Sequence, residues 1–289
     1  MSDASRQDTV AARLAAAAAR PGGASPGARL DAELLLAFVL GCARARLVAW
    51  PEARVDAPAA RRFDELLARR AAGEPLAYLT GTRDFWTLAL AVDARVLVPR
   101  PETELLVELA LRLLPAEGAA RVLDLGTGSG AIALALAAER PQWHLTAVDR
   151  STAALEVARA NAARLGIDGV EFLAGSWFGP VRARHFDAIV ANPPYLAATD
   201  PHLGNDGLAF EPRDALVAGP NGLEDIAAIV GGAGGHLEAG APLMLEHGAT
   251  QGEAVRELLA LAGFTDVRTQ CDLAGLPRVS LGFRSGAGA

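Results

Sequence analysis

Beyond Arg121 the sequence alternates short apolar runs with longer helical patterns, and this alternation leaves few architectures open. Residues 122–125 read as a short apolar strand, 131–138 as an apolar helix, 144–148 as a second strand and 152–165 as a helix. Strands follow over 170–173, over 186–190 ending at Asn192, and over 243–246, with a helix after the last and a strand pair near the C-terminus. Strands apolar throughout and separated by helices belong to a parallel sheet covered on both faces. The expected fold class is α/β, and ligands of such sheets bind at the C-terminal ends of the strands.

The first 80 or so residues read differently, as helices only. Leu30, Leu34 and Phe38 recur at four-residue spacing, which predicts one apolar helix face. Asp31 and Glu33 suit the positive helix N-terminus, and Gly41 can end the segment. In a second helix Asp56 is the expected N-cap and Pro58 lies in the first turn. Its apolar stripe is Phe63, Leu66 and Leu67, and Gly73 then Pro75 close it. Residues 85–90 and 91–98, rich in aromatic and β-branched side chains, predict a short hairpin. Pro99 and Pro101 interrupt, and 102–114 reads as a helix with acids at its start. The division expected is a helical domain over 1–82, a β-hairpin linker over 83–100 and the α/β domain over 101–289, the tail over 285–289 being frayed.

Composition removes several function classes. The chain has 289 residues, 51% of them apolar, which is ample for a sizeable core. The formal net charge of −7 argues against a strongly basic nucleic-acid binder. All of its lysine-or-arginine positions are Arg, which with the abundant Ala reflects base composition rather than function. Cys42 and Cys271 lie far apart, so neither a disulfide framework nor a structural zinc site is expected, and a reducing, cytoplasmic compartment fits. No run approaches the roughly 18 to 20 apolar residues of a membrane helix. Residues 15–19, between Arg13 and Arg20, loosely imitate a targeting peptide; but Asp3 and Asp8 precede them, and a short, poorly capped helix is expected.

The first candidate site runs from Asp124 through Leu125, Gly126, Thr127, Gly128 and Ser129 to Gly130, between a strand and a helix. Glycines let the backbone turn sharply and approach a ligand without an intervening Cβ. The helix N-terminus offers N–H groups to an anion. Gly126, Gly128 and Ala131 satisfy the loose dinucleotide pattern, whereas Gly126, Gly128 and Gly130 satisfy the tighter GxGxG of S-adenosylmethionine enzymes. Asp149, at the end of the next strand, suits ribose hydroxyls in either case. The loop therefore points to an adenosine-bearing cofactor without saying which.

Asn192, Pro193, Pro194 and Tyr195 discriminate further. They follow the fourth strand, and two prolines can continue neither a ladder nor a helix, so the chain makes a rigid turn. A planar –NH2 group facing an electrophile needs two fixed acceptors. The Asn192 side-chain oxygen and the Pro193 carbonyl can supply them at little reorganisation cost, while Tyr195 can pack on the flat amide or ring.

With the glycine loop, Asp149 and this tetrad in hand, the sequence resembles class I S-adenosylmethionine-dependent methyltransferases acting on a planar nitrogen. The segments 81–86, 98–104, 200–203, 210–212 and 245–248 make it similar to the protein-(glutamine-N5) methyltransferases of peptide-chain release factors, from about Glu74 to Phe283. The resemblance implies a helical N-terminal substrate-docking domain, a β-hairpin linker and a seven-stranded, mostly parallel, Rossmann-like catalytic sheet. It implies methyl transfer from S-adenosyl-L-methionine, leaving S-adenosyl-L-homocysteine, to the glutamine amide of the Gly-Gly-Gln motif of class 1 release factors. By position, Gly126, Thr127, Gly128, Ser129, Gly130, Asp149 and Trp177 would bind the cofactor. Asn192 would touch cofactor and substrate, and Pro193, Pro194 and Tyr195 would complete the glutamine site. No metal, nucleic acid or membrane partner is implied, and a monomer is expected.

Other side chains have plainer readings. Trp177 serves equally well as a core aromatic. His202 and His247 are isolated and read as structural. Arg100 and Glu102 could line a cofactor entrance, but a helix start at Pro101 explains them almost as well. Glu246 follows an apolar strand and is expected near the site. The rival activity is N-methylation of an exocyclic amine of adenine or guanine, which would call for base capture and a basic surface. A non-catalytic binding protein retaining the cofactor fold is the alternative outside enzymes.

Overall fold

The computed structural model describes residues 8–20, 26–204 and 207–286; Asp3 and 287–289, the end of the tail expected to fray, lie outside them. The chain divides into two units, Met1–Gly81 with Asn205–Phe210, and Thr82–Gly204 with Glu211–Ala289.

The first unit holds α1 (Val10–Ala18), α2 (Pro26–Val39), α3 (Arg44–Ala49), α4 (Ala57–Ala71) and α5 (Leu76–Thr80). α4 is built as its sequence predicts: the Asp56 carboxylate accepts from Ala59 N at 2.8 Å, and Phe63, Leu66 and Leu67 are buried. α1 is capped, contrary to expectation, because the Thr9 hydroxyl accepts from Ala12 N at 3.2 Å. The face expected of α2 is also corrected. Leu30 and Phe38 are 40% and 45% exposed, while Ala32, Leu35 and Leu36 are buried. Positions four apart drift round a 3.6-residue helix, and the three- and four-residue spacing of 32, 35 and 36 makes the tighter stripe. The acids of α2 pair with side chains rather than with its N-terminus: Asp31 with Arg70, and Glu33 with Arg29 and Arg44.

The second unit opens with a hairpin of β1 (Thr82–Phe85) and β2 (Leu88–Ala91). The expected second strand over 91–98 does not form. Trp86 takes φ +55 and closes a two-residue turn, and Ala91 N donates to the Asn161 side chain instead of to a strand. A short 3-10 turn, Pro101–Thr103, leads into α6 (Glu104–Leu113).

The remaining elements are β3 (Arg121–Leu125), α7 (Ala131–Glu139), β4 (His144–Asp149), α8 (Thr152–Leu165), β5 (Val170–Ala174), β6 (Ala188–Ala191), α9 (Glu224–Ala233), β7 (Pro242–Glu246), α10 (Gly252–Leu261), β8 (Phe264–Cys271) and β9 (Pro277–Arg284). They form a seven-stranded sheet in the order β5-β4-β3-β6-β7-β9-β8, in which only β9 runs opposite to the others and pairs antiparallel with β7 and β8. The architecture is the α/β one expected. The fourth strand begins at Ala188 rather than 186, since Phe186 makes only an isolated bridge with Leu237. α9 left no trace in the sequence pattern because Gly231 and Gly232 lower its helix propensity. Gly232 is needed there: a Cβ would lie 2.5 Å from the Phe178 ring.

Side chains alternate across the sheet into two cores. Val122, Val190 and Met244 join α6 and α7 on one side, while Leu123, Ile189, Leu243 and Leu245 join α9 and α10 on the other. Sheet and helices cover α7 so thoroughly that residues 131–137 are all buried. Among the described residues no helix is long and apolar enough to cross a membrane.

Candidate active site

β4 and β5 extend the sheet on one side of β3, while β6 and β7 extend it on the other. The reversal leaves a crevice at the C-terminal strand ends, where such sheets bind ligands. A cavity of about 580 Å³ occupies it, lined in part by Gly126, Gly128, Asp149, Trp177, Asn192 and Pro194. Six of the residues singled out in the sequence thus meet at one wall.

The glycine loop divides its labour. Gly128, at φ +56, has nothing within 4 Å of where a Cβ would stand, so its backbone faces open cavity. Gly130 serves packing, since a Cβ would come within 2.9 Å of Leu134. Thr127 and Ser129 are buried: the Thr127 hydroxyl donates to Asp124 Oδ2 at 2.6 Å, and the Ser129 carbonyl accepts from Asn161 Nδ2 at 3.0 Å. Thr127, Ser129 and Gly130 therefore shape the loop without lining the cavity. Asp124 is sealed beneath it, and burial pushes its carboxyl up to about 7 against the Thr127 hydrogen bond.

Asp149 stands at the end of β4. Its Oδ2 accepts from Gly128 N at 2.9 Å and its Oδ1 from Ser151 N at 2.8 Å. Burial raises its pKa, while the two amides work the other way. Each carboxylate oxygen keeps a further lone pair for a ligand hydroxyl. A bare glycine face, a helix N-terminus and this acid fit the adenosine and amino-acid parts of S-adenosylmethionine. Trp177 lines the same cavity and packs on the core beneath it, with its ring 3.7 Å from the Cβ position of Gly126.

Asn192 Nδ2 donates to the hydroxyl of buried Thr103 at 3.0 Å. Pro193 and Pro194 are buried, and only Pro194 of the two touches the cavity. Tyr195 is half-buried; burial and Glu246 push its phenol up to about 12, so it is neutral. The turn is clamped from α10: Gln251 Nε2 donates to the Tyr195 and Gly222 carbonyls at 3.0 and 3.1 Å, and its Oε1 accepts from Gly248 N at 2.8 Å. Gly222 has to be glycine, because a Cβ would sit 2.5 Å from the Tyr195 carbonyl oxygen.

The other weighed side chains fall outside the cavity wall. His202 is exposed and meets Asp200. His247 is buried between the Ser280 hydroxyl and the Gly248 carbonyl, with burial lowering its pKa. Arg100 pairs with buried Glu211, which also accepts from Val98 N at 3.0 Å. Among the described residues no cluster of three or more His, Cys, Asp or Glu could hold a metal ion.

Residues 11–81 match the family described as PrmC N-terminal domain, and residues 102–205 match the Methyltransferase small domain. A release factor glutamine methyltransferase of Pseudomonas aeruginosa is 53% identical over 89% of this chain and 93% of its own length. The chain belongs to the release factor glutamine methyltransferases. The Escherichia coli relative of that name is 47% identical over 90% of this chain and 93% of its own. A methyltransferase from Pyrococcus furiosus superposes with TM-score 0.52 at 20% identity, over 77% of this chain and all of that one. The hMettl16 catalytic domain does so with TM-score 0.57 at 16% identity, over 81% and 84%. The fold is thus that of class I methyltransferases, and this chain is a methyltransferase enzyme.

Within this methyltransferase, several supports escaped sequence reasoning. Asn161 was readable as one polar residue on the apolar stripe of α8, beside Val157 and Ala158. Its side chain bridges Ala91 N, Ala91 O and Ser129 O, tying β2 to the glycine loop. Thr103 and Gln251 carry no local signal, because each acts on a loop remote in sequence. Arg95, Arg150 and Arg213 at the cavity rim were likewise unmarked.

Proposed function

We propose that this enzyme transfers a methyl group from S-adenosyl-L-methionine to the side-chain amide nitrogen of the glutamine in the Gly-Gly-Gln motif of class 1 release factors. The observation that carries the reading is the bond from Asn192 Nδ2 to Thr103. It commits the donor end of the side chain and leaves Oδ1 as the end that can take a substrate N–H. That acceptor shares a cavity with Gly128 and Asp149.

S-adenosyl-L-methionine, when bound, supplies an electrophilic methyl group on a sulfonium. In this reading the backbone of Gly126 and Gly128 passes close beneath it, Asp149 accepts its ribose hydroxyls, and Trp177 covers the adenine. An amide nitrogen is a weak nucleophile, because its lone pair is delocalised into the carbonyl. Alignment therefore matters more than a strong base, and positioning supplies roughly 7 to 11 kcal/mol in favourable cases. Asn192 Oδ1 and the Pro193 carbonyl accept the two amide N–H groups, hold the nitrogen in place and raise its electron density as it attacks. Neutral Tyr195 supports the flat amide. The helical unit docks the release factor, and the enzyme acts as a cytoplasmic monomer without a metal.

The test is mass spectrometry of a purified class 1 release factor after incubation with the enzyme and methyl-labelled S-adenosylmethionine. One labelled methyl group on the Gly-Gly-Gln glutamine is expected. An unlabelled glutamine would overturn the assignment, and label found on RNA would move it to nucleic-acid amines.

A further inference from the structure

The parallel register pairs Ala191 of β6 with Leu245 of β7, so the next residues, Asn192 just beyond β6 and Glu246 at the end of β7, stand side by side. Glu246 is 1% exposed, and its Oε2 has no hydrogen-bond partner among the described residues. Isolated buried carboxyls are costly and call for a function or a partner. The Thr103 hydroxyl that receives Asn192 Nδ2 at 3.0 Å also pulls the pKa of this carboxyl down, so it lies within reach of both side chains. A hydroxyl has one proton. When a carboxylate takes that proton, the Thr103 oxygen can only accept, and Asn192 has to present Nδ2 to it. Without the carboxylate, Thr103 can turn and donate to Asn192 Oδ1. The amide then flips, and an –NH2 group faces the substrate nitrogen where an acceptor is required.

We propose that Glu246 is a positioning residue that acts through Thr103 to set the orientation of the Asn192 amide, keeping its oxygen toward the substrate nitrogen. The proposal rests on the methyl-transfer reading above. The charged and titratable groups around Glu246 are Arg100 and Glu102 before α6, Tyr195 after β6 and Arg278 on β9. Burial pushes the carboxyl up to about 7, with Glu102 adding to it, while the Thr103 hydroxyl and the two arginines favour its ionised form. Its neighbour His247 is turned to Ser280 and takes no part. Protonated Glu246 can donate to the Thr103 oxygen and release the Thr103 proton toward Asn192. Methyl transfer should therefore weaken as pH falls through about 7.

The experiment measures single-turnover methylation of an intact class 1 release factor, at saturating cofactor, across the neutral pH range. It compares the wild type with Thr103→Val, Thr103→Ser and Glu246→Gln, with cofactor titrations and melting curves alongside. Thr103→Val should slow the chemical step about ten- to a hundredfold with cofactor Kd unchanged, as a small misplacement of a reacting group does. Thr103→Ser, which keeps the hydroxyl, should restore most of the rate. Glu246→Gln keeps an acceptor oxygen but does not titrate, so the acid limb near neutrality should disappear. Should Thr103→Val fail to fold, the serine variant and the pH profile of Glu246→Gln decide. Wild-type rates in Thr103→Val, no advantage of serine over valine, or an unchanged acid limb in Glu246→Gln would each overturn the proposal. A wild-type enzyme that binds cofactor but methylates no glutamine would instead overturn the reading on which it rests.

Discussion

Gly128 N donates to Asp149 Oδ2 at 2.9 Å, so the acid assigned to the ribose also pins the glycine loop. One carboxylate both shapes the cradle and offers acceptors within it. Its second oxygen holds Ser151 N, next to the start of α8, and strand end, loop and helix are fixed together.

Replacing Asp149 by Ala should therefore damage the cofactor site twice over. Hydrogen bonds to charged groups are worth about 1.5 to 3 kcal/mol, so a loss of at least roughly tenfold in S-adenosylmethionine affinity is expected. Asp149→Asn keeps an acceptor and should lose less. Calorimetric titration decides between these outcomes.

Asn192→Ala should lower kcat by on the order of 10²- to 10³-fold, the usual cost of one pre-aligned electrostatic partner. Cofactor affinity should fall less, since the glycine loop and Asp149 remain. Single-turnover methylation with melting curves as a control provides the check; a near-normal rate would return the tetrad to the status of a rigid turn.

Gln251→Ala removes the clamp on the Tyr195 and Gly222 carbonyls. Each buried acceptor left without a donor costs about 1 to 3 kcal/mol. Urea unfolding should show destabilisation in that range, accompanied by a fall in kcat larger than any change in cofactor Kd.

Asp124 gives a pH signature with a defined sign. Its carboxyl lies at about 7 in the folded protein against an ordinary 3.8, so between these values the folded state holds the extra proton. The stability contributed by this group is complete at low pH and is lost as pH rises toward 7. Asp124→Asn cannot titrate and can still accept from Thr127. Its stability relative to the wild type should accordingly increase from pH 5 to pH 8, as read from urea midpoints at about those values. A constant difference would place the carboxyl at its ordinary value.

The sheet and its binding edge were legible because local patterns write them directly. A strand, three spaced glycines, an acid at the next strand end and the tetrad each occupy a few consecutive residues. Less was legible where long-range partners decide. Leu30 and Phe38 look like a core stripe until the neighbours of α2 select Ala32, Leu35 and Leu36. The second strand of the hairpin stops at Ala91 because Asn161, from α8, takes its amide. Gln251 steadies Tyr195 across 56 residues, a relation that no local spacing announces.

The strand order also sets a timetable for biosynthesis. β6 is buried along its whole length, yet its neighbour β7 is made about 50 residues later, and β9 must slip between β7 and β8 from near the chain end. A chain emerging from the ribosome shows its glycine loop and Asp149 while the edge of β6 is bare and Glu246 and Gln251 are still unmade. Such an edge invites mispairing. On the roles proposed above, the nascent enzyme would acquire its cofactor cradle early and its means of aiming Asn192 last, so catalytic competence would arrive as a late event in translation, with β6 in need of protection until then.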